Sequence, residues 1–281
     1  MKNKTLKNGF SIPLLAFGTW QFGGREFHDI ENNDVRQIDA IENAVTSDVT
    51  WIDTAEYYAD GYAETLIGIA LQGAKRDSYQ LCSKVWKTHL KRDDVWRAAE
   101  NSLKRLKTDH FDLYLYHQID ESVPLEETLG AMNELFEQKI TKNIGVSNFN
   151  ARRLQRAMQI SSAPIVVNQV EYSLVCREPE HDLLDFCQKN DVILQAWRPL
   201  QYLKKCSLTD ELCEKYSVSI QQLALAWLFA QQNVTAIAST QDPAHLWDNL
   251  DSTELEINVN DLLRLTKEYP DRRNISRVPL K

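Results

Sequence analysis

The stretch FDLYLYHQIDESVPLEETLGAMNELFEQKITKNIGVS, residues 111–147, carries the unit from which the fold is read. Residues 111–116 form an apolar run short enough for a buried strand. Ser122-Val123-Pro124-Leu125-Glu126-Glu127 then reads as a helix start. Proline suits a first turn, whose N–H has no partner in any case, and the two carboxylates complement the positive end of the helix dipole. That helix is expected to end near Lys139, and a second apolar run follows at 143–146. Strand, amphipathic helix, strand is the sequence form of a right-handed βαβ unit.

Working outward, the same alternation fills the chain. Eight apolar runs are expected to be strands, at residues 14–17, 50–52, 79–82, 111–116, 143–146, 165–168, 192–195 and 234–237. Between them lie helical stretches such as 34–46, 93–106 and 219–230, with apolar residues three and four apart. Eight alternations with no Gly-Ser or Pro-rich linker favour an α/β fold of the (β/α)8 (TIM) barrel kind over an open doubly wound sheet. The expectation is one barrel domain over residues 1–281. Asn8-Gly9 marks a leading β-hairpin that would plug the bottom of the barrel.

Composition narrows the function classes. The 281 residues are 43% hydrophobic, enough for one large core without disulfide or metal staples. A net charge of -8 argues against a nucleic-acid surface, which would need a concentrated excess of Lys and Arg. No apolar run approaches membrane-spanning length, and the start MKNKTLKNGFSIP lacks the apolar core of a secretory signal. Cys82, Cys176, Cys187, Cys206 and Cys213 are odd in number and show no zinc spacing. A cytoplasmic, metal-free protein is expected, probed by neither nucleic acid nor membrane, and the loop lengths suggest a monomer.

In such a barrel the active site gathers at the carboxyl ends of the strands, so polar residues that end apolar runs are the candidates. Asp53 ends the second run, Lys84 follows the third, His117 ends the fourth, and Tyr58 lies in the loop after Asp53. Taken singly, each is an ordinary structural partner. Their placement on three consecutive strand ends is what points to chemistry. A hydride arriving at a carbonyl carbon leaves negative charge on oxygen, which needs a proton donor and a polarising environment. Tyr58 would donate the proton, the Lys84 ammonium would lower the Tyr58 pKa, Asp53 would hold Lys84, and His117 would orient the carbonyl.

These residues resemble those of the aldo-keto reductase family. The resemblance is carried by Asp53-Thr54-Ala55-Glu56-Tyr57-Tyr58 with Glu64-Thr65-Leu66-Ile67-Gly68, by Gly18-Thr19-Trp20, and by Ser83-Lys84-Val85-Trp86. Asp112-Leu113-Tyr114-Leu115-Tyr116-His117, Gly145-Val146-Ser147-Asn148-Phe149 and Asn168-Gln169-Val170-Glu171-Tyr172 extend it along nearly the whole chain. It implies reduction of carbonyls by hydride transfer from a nicotinamide cofactor bound across the top of the barrel without a Rossmann fold. By that similarity Asp53, Tyr58, Lys84 and His117 are the catalytic set. Ser147, Asn148 and Gln169 would hold the nicotinamide carboxamide, with Thr19, Trp20 and Asp53 also on the cofactor side.

Two departures bear on the cofactor. Where the family often has Tyr-Ser-Pro-Leu this chain has Trp197-Arg198-Pro199-Leu200; Trp197 keeps a stacking surface, and Arg198 offers a planar fork to the pyrophosphate. Ser239 and His245 stand where many members carry a Lys and an Arg on the adenosine 2'-phosphate. Ser239 and Thr240 still offer hydroxyls, and Asp248 with Asn249 match positions near the adenine. The expectation is NADPH, with NADH open as the alternative.

Trp20 and Trp86, with Tyr58 and His117, are expected to wall the substrate pocket. With no long segment after the last helix, which ends near Tyr269, the pocket is expected to be open. It would take small aldehydes, ketoaldehydes or open-chain sugars, with Arg198 offsetting the acidic surface locally. A protein that senses the cofactor or regulates a partner, with slow or vestigial turnover, stays open at this point, as does a barrel lyase or isomerase.

Overall fold

The computed structural model describes residues 1–269 and 278–280. Two short antiparallel strands, β1 (Asn3–Thr5) and β2 (Ser11–Pro13), form the leading hairpin. Gly9 takes a positive φ of 89° at its turn, a conformation that costs glycine little. Leu6, Phe10 and Ile12 are buried in one apolar cluster with Ala16, Trp51 and Leu113 of the barrel. The Phe10 ring meets Trp51 edge-on at 6.1 Å. The hairpin is therefore anchored to the barrel by its apolar residues.

The barrel follows. Its strands and helices alternate as β3 (Leu15–Gly18), α1 (Asp34–Thr46), β4 (Trp51–Asp53), α2 (Tyr62–Ala70), β5 (Gln80–Val85), α3 (Arg92–Leu106), β6 (Leu113–Tyr116) and α4 (Leu125–Glu137). The second half runs β7 (Ile144–Ser147), α5 (Ala151–Ile160), β8 (Ile165–Glu171), α6 (Leu183–Lys189) and β9 (Ile193–Trp197). It finishes with α7 (Ser207–Tyr216), α8 (Ile220–Phe229), β10 (Val234–Ala238), α9 (Pro243–Asp251) and α10 (Val259–Glu268). All neighbouring barrel strands are parallel, and β10 pairs with β3, which closes the sheet. Closure leaves no barrel edge to be covered.

Helices turn one stripe inward. In α3 the buried positions are Val95, Ala98, Ala99, Ser102 and Leu106, the spacing of a single helical face. Gly68 of α2 lets α2 and α3 approach closely, since a Cβ there would overlap the Arg105 carbonyl. Glu64, one turn earlier, is fully buried and is met by Arg105 at 2.7 Å and by the Ser83 hydroxyl at 2.5 Å. This part of the family signature thus serves packing rather than chemistry.

Strand boundaries shift from the sequence expectation by one to three residues, and two of the shifts bear on the site. Strand β5 continues to Val85, so Lys84 lies inside it, and Asp53 is the last residue of β4. Apolar character stops early because the upper layer of the barrel interior is polar. Asp53, Lys84, Gln169 and Gln195 all sit on paired ladder positions. Pro124 caps α4 instead of opening its first turn, while Glu126 and Glu127 lie in that turn as expected.

None of the described helices is long and apolar enough to cross a membrane. Cys82, Cys187, Cys206 and Cys213 form no disulfide, and no group of His, Cys, Asp or Glu among the described residues is arranged to hold a metal ion. Most of the segment on which the open-pocket expectation rests, residues 270–277, lies outside the described residues. Val278 lines the cavity at the top of the barrel.

Candidate active site

The loop after β4 turns sharply. Ala59 and Asp60 both adopt left-handed backbone conformations, with φ of 52° and 53°, and the Ala59 N–H donates to the Arg25 carbonyl at 2.7 Å. Such conformations cost a non-glycine residue energy and persist only where surroundings enforce them. Just before this turn Tyr58, 9% exposed, lies at the mouth of the barrel.

There the expected residues meet. The Lys84 ammonium donates to Asp53 Oδ1 at 2.6 Å, to the Thr54 carbonyl at 2.7 Å and to Tyr58 Oη at 3.1 Å. Lys84 is 0% exposed and Asp53 3% exposed, so the ion pair is shielded from water. Burial works against the ammonium, but Asp53 and Tyr58 outweigh it and leave Lys84 above the ordinary lysine range. A permanent cation therefore sits beside the phenol.

The Tyr58 phenol departs from the sequence expectation in one respect. Lys84 does pull its pKa down, but burial is the larger effect and the phenol is pushed up to about 12. Tyr58 thus keeps its proton at neutral pH. A phenolate at this position would face the Lys84 ammonium, 3.1 Å away.

His117 follows β6, its backbone N–H donating to the Val85 carbonyl at 3.1 Å. Its ring lies edge-on to Tyr58 at 5.7 Å and to Trp86 at 5.0 Å. Burial and then Lys84 hold the imidazole well below its ordinary pKa, so it is neutral, and its Nδ1 has no partner among the described residues. A neutral imidazole can donate one hydrogen bond without carrying charge.

The depressed His117 pKa has a measurable consequence for stability. An imidazole held below its unfolded value of about 6.5 is fully tolerated above that pH and costs stability as pH falls below it. Relative to wild type, His117→Gln should gain stability progressively as urea unfolding is repeated from about pH 7 to pH 5. A difference that stays constant across that window would contradict a neutral buried His117.

A cavity of about 700 Å³ opens over this cluster. Ser147, at the end of β7, donates to the Gln169 carbonyl at 2.8 Å. Asn148, with a φ of 63°, donates through Nδ2 to the His117 carbonyl at 3.2 Å and accepts from Trp197 Nε1 at 3.3 Å. Gln169 Nε2 donates both to Asp53 Oδ2 and to Gln195 Oε1, each at 2.9 Å. Both amide hydrogens are thereby used, which leaves the Gln169 amide oxygen as its free acceptor.

Trp20, Trp86, Ser147, Asn148, Gln169 and Trp197 all reach the cavity wall with the catalytic candidates Asp53, Tyr58 and His117. So do Arg198, Pro199, Leu200, Ser239, Thr240 and Asn249. The Arg198 guanidinium lies over the Trp197 ring at 5.2 Å. Three expected cofactor residues are placed elsewhere. Thr19 is fully buried and donates through its hydroxyl to the Asp53 carbonyl at 3.0 Å. His245 and Asp248 are exposed on α9 and do not line the cavity.

Sequence reasoning did not single out Tyr57, Gln118, Gln195, Gln241 or Val278. Gln195 had a signal, a polar residue on an otherwise apolar run one strand from Gln169. Tyr57 and Val278 had none, because nothing in their spacing distinguishes a wall residue from any other aromatic or aliphatic side chain.

The sequence model of the Aldo/keto reductase family matches residues 14–268. The chain is 34% identical over 268 residues to methylglyoxal reductase YeaE of Escherichia coli (strain K12), covering 92% of each. Among solved structures it is similar to the thermostable aldo-keto reductase Tm1743, in complex with the inhibitor epalrestat. The TM-score there is 0.92 with 42% identity, over 95% of this chain and 99% of that one. An aldo/keto reductase from Klebsiella pneumoniae, in complex with NADP and acetate, gives a TM-score of 0.87 with 30% identity over 100% and 99%.

Proposed function

The chain belongs to the aldo/keto reductase family and is an NAD(P)H-dependent carbonyl oxidoreductase, and from that premise we propose that it reduces small aldehydes, ketoaldehydes or open-chain sugars with Tyr58 as proton donor. The observation that carries this reading is the buried Lys84 Nζ, 2.6 Å from Asp53 and 3.1 Å from the Tyr58 oxygen at the cavity floor. A relative named for methylglyoxal reduction supports the ketoaldehyde class.

The residues present fit a nicotinamide dinucleotide. The Trp197 ring offers a flat face, Gln169 presents an unspent amide oxygen to a carboxamide N–H, and Ser147 and Asn148 lie beside it. Arg198 is the cation on the cavity wall suited to a pyrophosphate, and the cavity runs on to Ser239, Thr240 and Asn249. The bound dinucleotide supplies the hydride. The protein's part is to hold a carbonyl oxygen between the Tyr58 hydroxyl and the neutral His117 ring, to pass the phenol proton to that oxygen, and to stabilise the phenolate with Lys84. Asp53, accepting from Lys84 and Gln169 with separate oxygens, fixes the ammonium in place.

NADPH is the proposed cofactor, with a weaker preference over NADH than a site bearing two basic 2'-phosphate contacts would have. Fluorescence titration should find both dinucleotides binding. Installing Ser239→Lys, on the cavity wall, should shift the ratio of dissociation constants toward NADPH by about tenfold, the scale of a charge-assisted hydrogen bond. Binding of neither dinucleotide to the wild-type protein would overturn the proposal, and an unchanged ratio in the variant would remove the 2'-phosphate argument.

A further inference from the structure

A second cavity, of about 470 Å³, lies beside the catalytic one, and Tyr57 and Trp86 line both. The partition is built by stacking. The Tyr57 ring lies 3.7 Å from Trp86 at an interplanar angle of 13°, and parallel to Trp20 within 7° at 6.0 Å. The Trp86 backbone N–H donates to Glu56 Oε1 at 2.6 Å, and burial, then the nearby Glu26 carboxylate, hold the Tyr57 phenol above its ordinary pKa. Tyr57 also directly precedes Tyr58 in the loop after β4.

We propose that Tyr57 determines substrate length: its ring closes the passage from the catalytic cavity into the second chamber and confines the enzyme to short carbonyl compounds. The proposal rests on the reading of the catalytic cavity given above. With the passage opened, the far end of a longer carbonyl compound enters the second chamber while its carbonyl stays at Tyr58.

The chamber's charge supplies a way to locate that far end. Its walls include Glu26, Glu56, Asp60 and Asp94. The cations among them are already engaged: His89 with Glu56 at 3.1 Å, Arg97 with Asp94 at 2.6 Å, and Arg105 with the buried Glu64 at 2.7 Å. Carboxylates are left in excess, so an anionic tail is disfavoured there relative to a cationic one of the same length.

The test compares kcat/KM for a short aldehyde and for long aldehydes ending in trimethylammonium or carboxylate, in wild type, Tyr57→Ala and Tyr57→Phe. Tyr57→Ala should raise the long-to-short ratio by about tenfold or more, the range a reshaped apolar pocket gives. Tyr57→Phe keeps the ring and should keep the wild-type ratio. Within Tyr57→Ala the ammonium-ended aldehyde should outperform the carboxylate-ended one, and adding Glu26→Gln should narrow that gap. Tyr57→Leu, which removes the stack but retains bulk, serves if the alanine variant does not fold.

A long-to-short ratio in Tyr57→Ala equal to wild type would overturn the proposal. So would an equal gain in Tyr57→Phe, or a gain with no charge discrimination. Turnover of the short aldehyde by wild type with an unchanged ratio in the variant defeats this proposal alone, whereas no turnover of any aldehyde by wild type defeats the catalytic reading with it.

Discussion

Tyr58→Phe is expected to bind the nicotinamide cofactor as wild type does and to lose about 10²–10⁴-fold in turnover, the range that a positioned general acid contributes. The substitution removes one oxygen and little else. The ring remains edge-on to Trp20 at 5.0 Å and to His117 at 5.7 Å, and Lys84 keeps its bonds to Asp53 and the Thr54 carbonyl. Stopped-flow binding and steady-state rates on the same preparation separate the two effects. Near-normal rates in this variant, across substrates the wild type reduces well, would remove Tyr58 from the mechanism.

Lys84→Met should fail in a different way. It leaves the Asp53 carboxylate buried without its cation, and breaking one side of a buried pair typically costs roughly 3–5 kcal/mol. Turnover should fall as well, because the phenolate loses the charge that stabilises it. The double variant Lys84→Met/Asp53→Asn removes both charges. It should recover much of the stability, as uncharged replacements of buried pairs often do, yet none of the activity. Urea unfolding of the single and double variants is the measurement, and a single variant as stable as wild type would show that the pair is not shielded as described.

How far the sequence could be read follows from what each strand faces. The lower parts of the barrel strands are buried on both sides and give the continuous apolar runs that locate them. Helix α1 was legible to the residue from its apolar spacing, and in the fold Asn33 caps it, its side chain accepting the Arg36 N–H. The strand tops were not legible as strand. Lys84 and the Asp53 end of β4 are polar because they face the catalytic interior, which is the reason they were picked out as chemical candidates. Barrel closure was not contained in the periodicity and rests on the pairing of β10 with β3.

The cluster of Asp53, Tyr58, Lys84 and His117 was legible because strand order makes consecutive strand ends neighbours. The cofactor side was harder. Positions matched through family resemblance carry no information on local geometry, and so Thr19, His245 and Asp248 were grouped with residues that reach the cavity although they do not line it. Gln195 stood out only as a polar residue on an apolar run, and its contact with Gln169, like that of Tyr57 with Trp86, joins residues distant in sequence and leaves no local pattern to read.

The most direct test of the account is NADPH consumption by the purified wild-type protein with methylglyoxal and a panel of other small carbonyls, with the product identified. The account predicts saturable turnover yielding one alcohol per NADPH consumed. Tight cofactor binding with no consumption above the carbonyl-free rate, for any member of the panel, would contradict it.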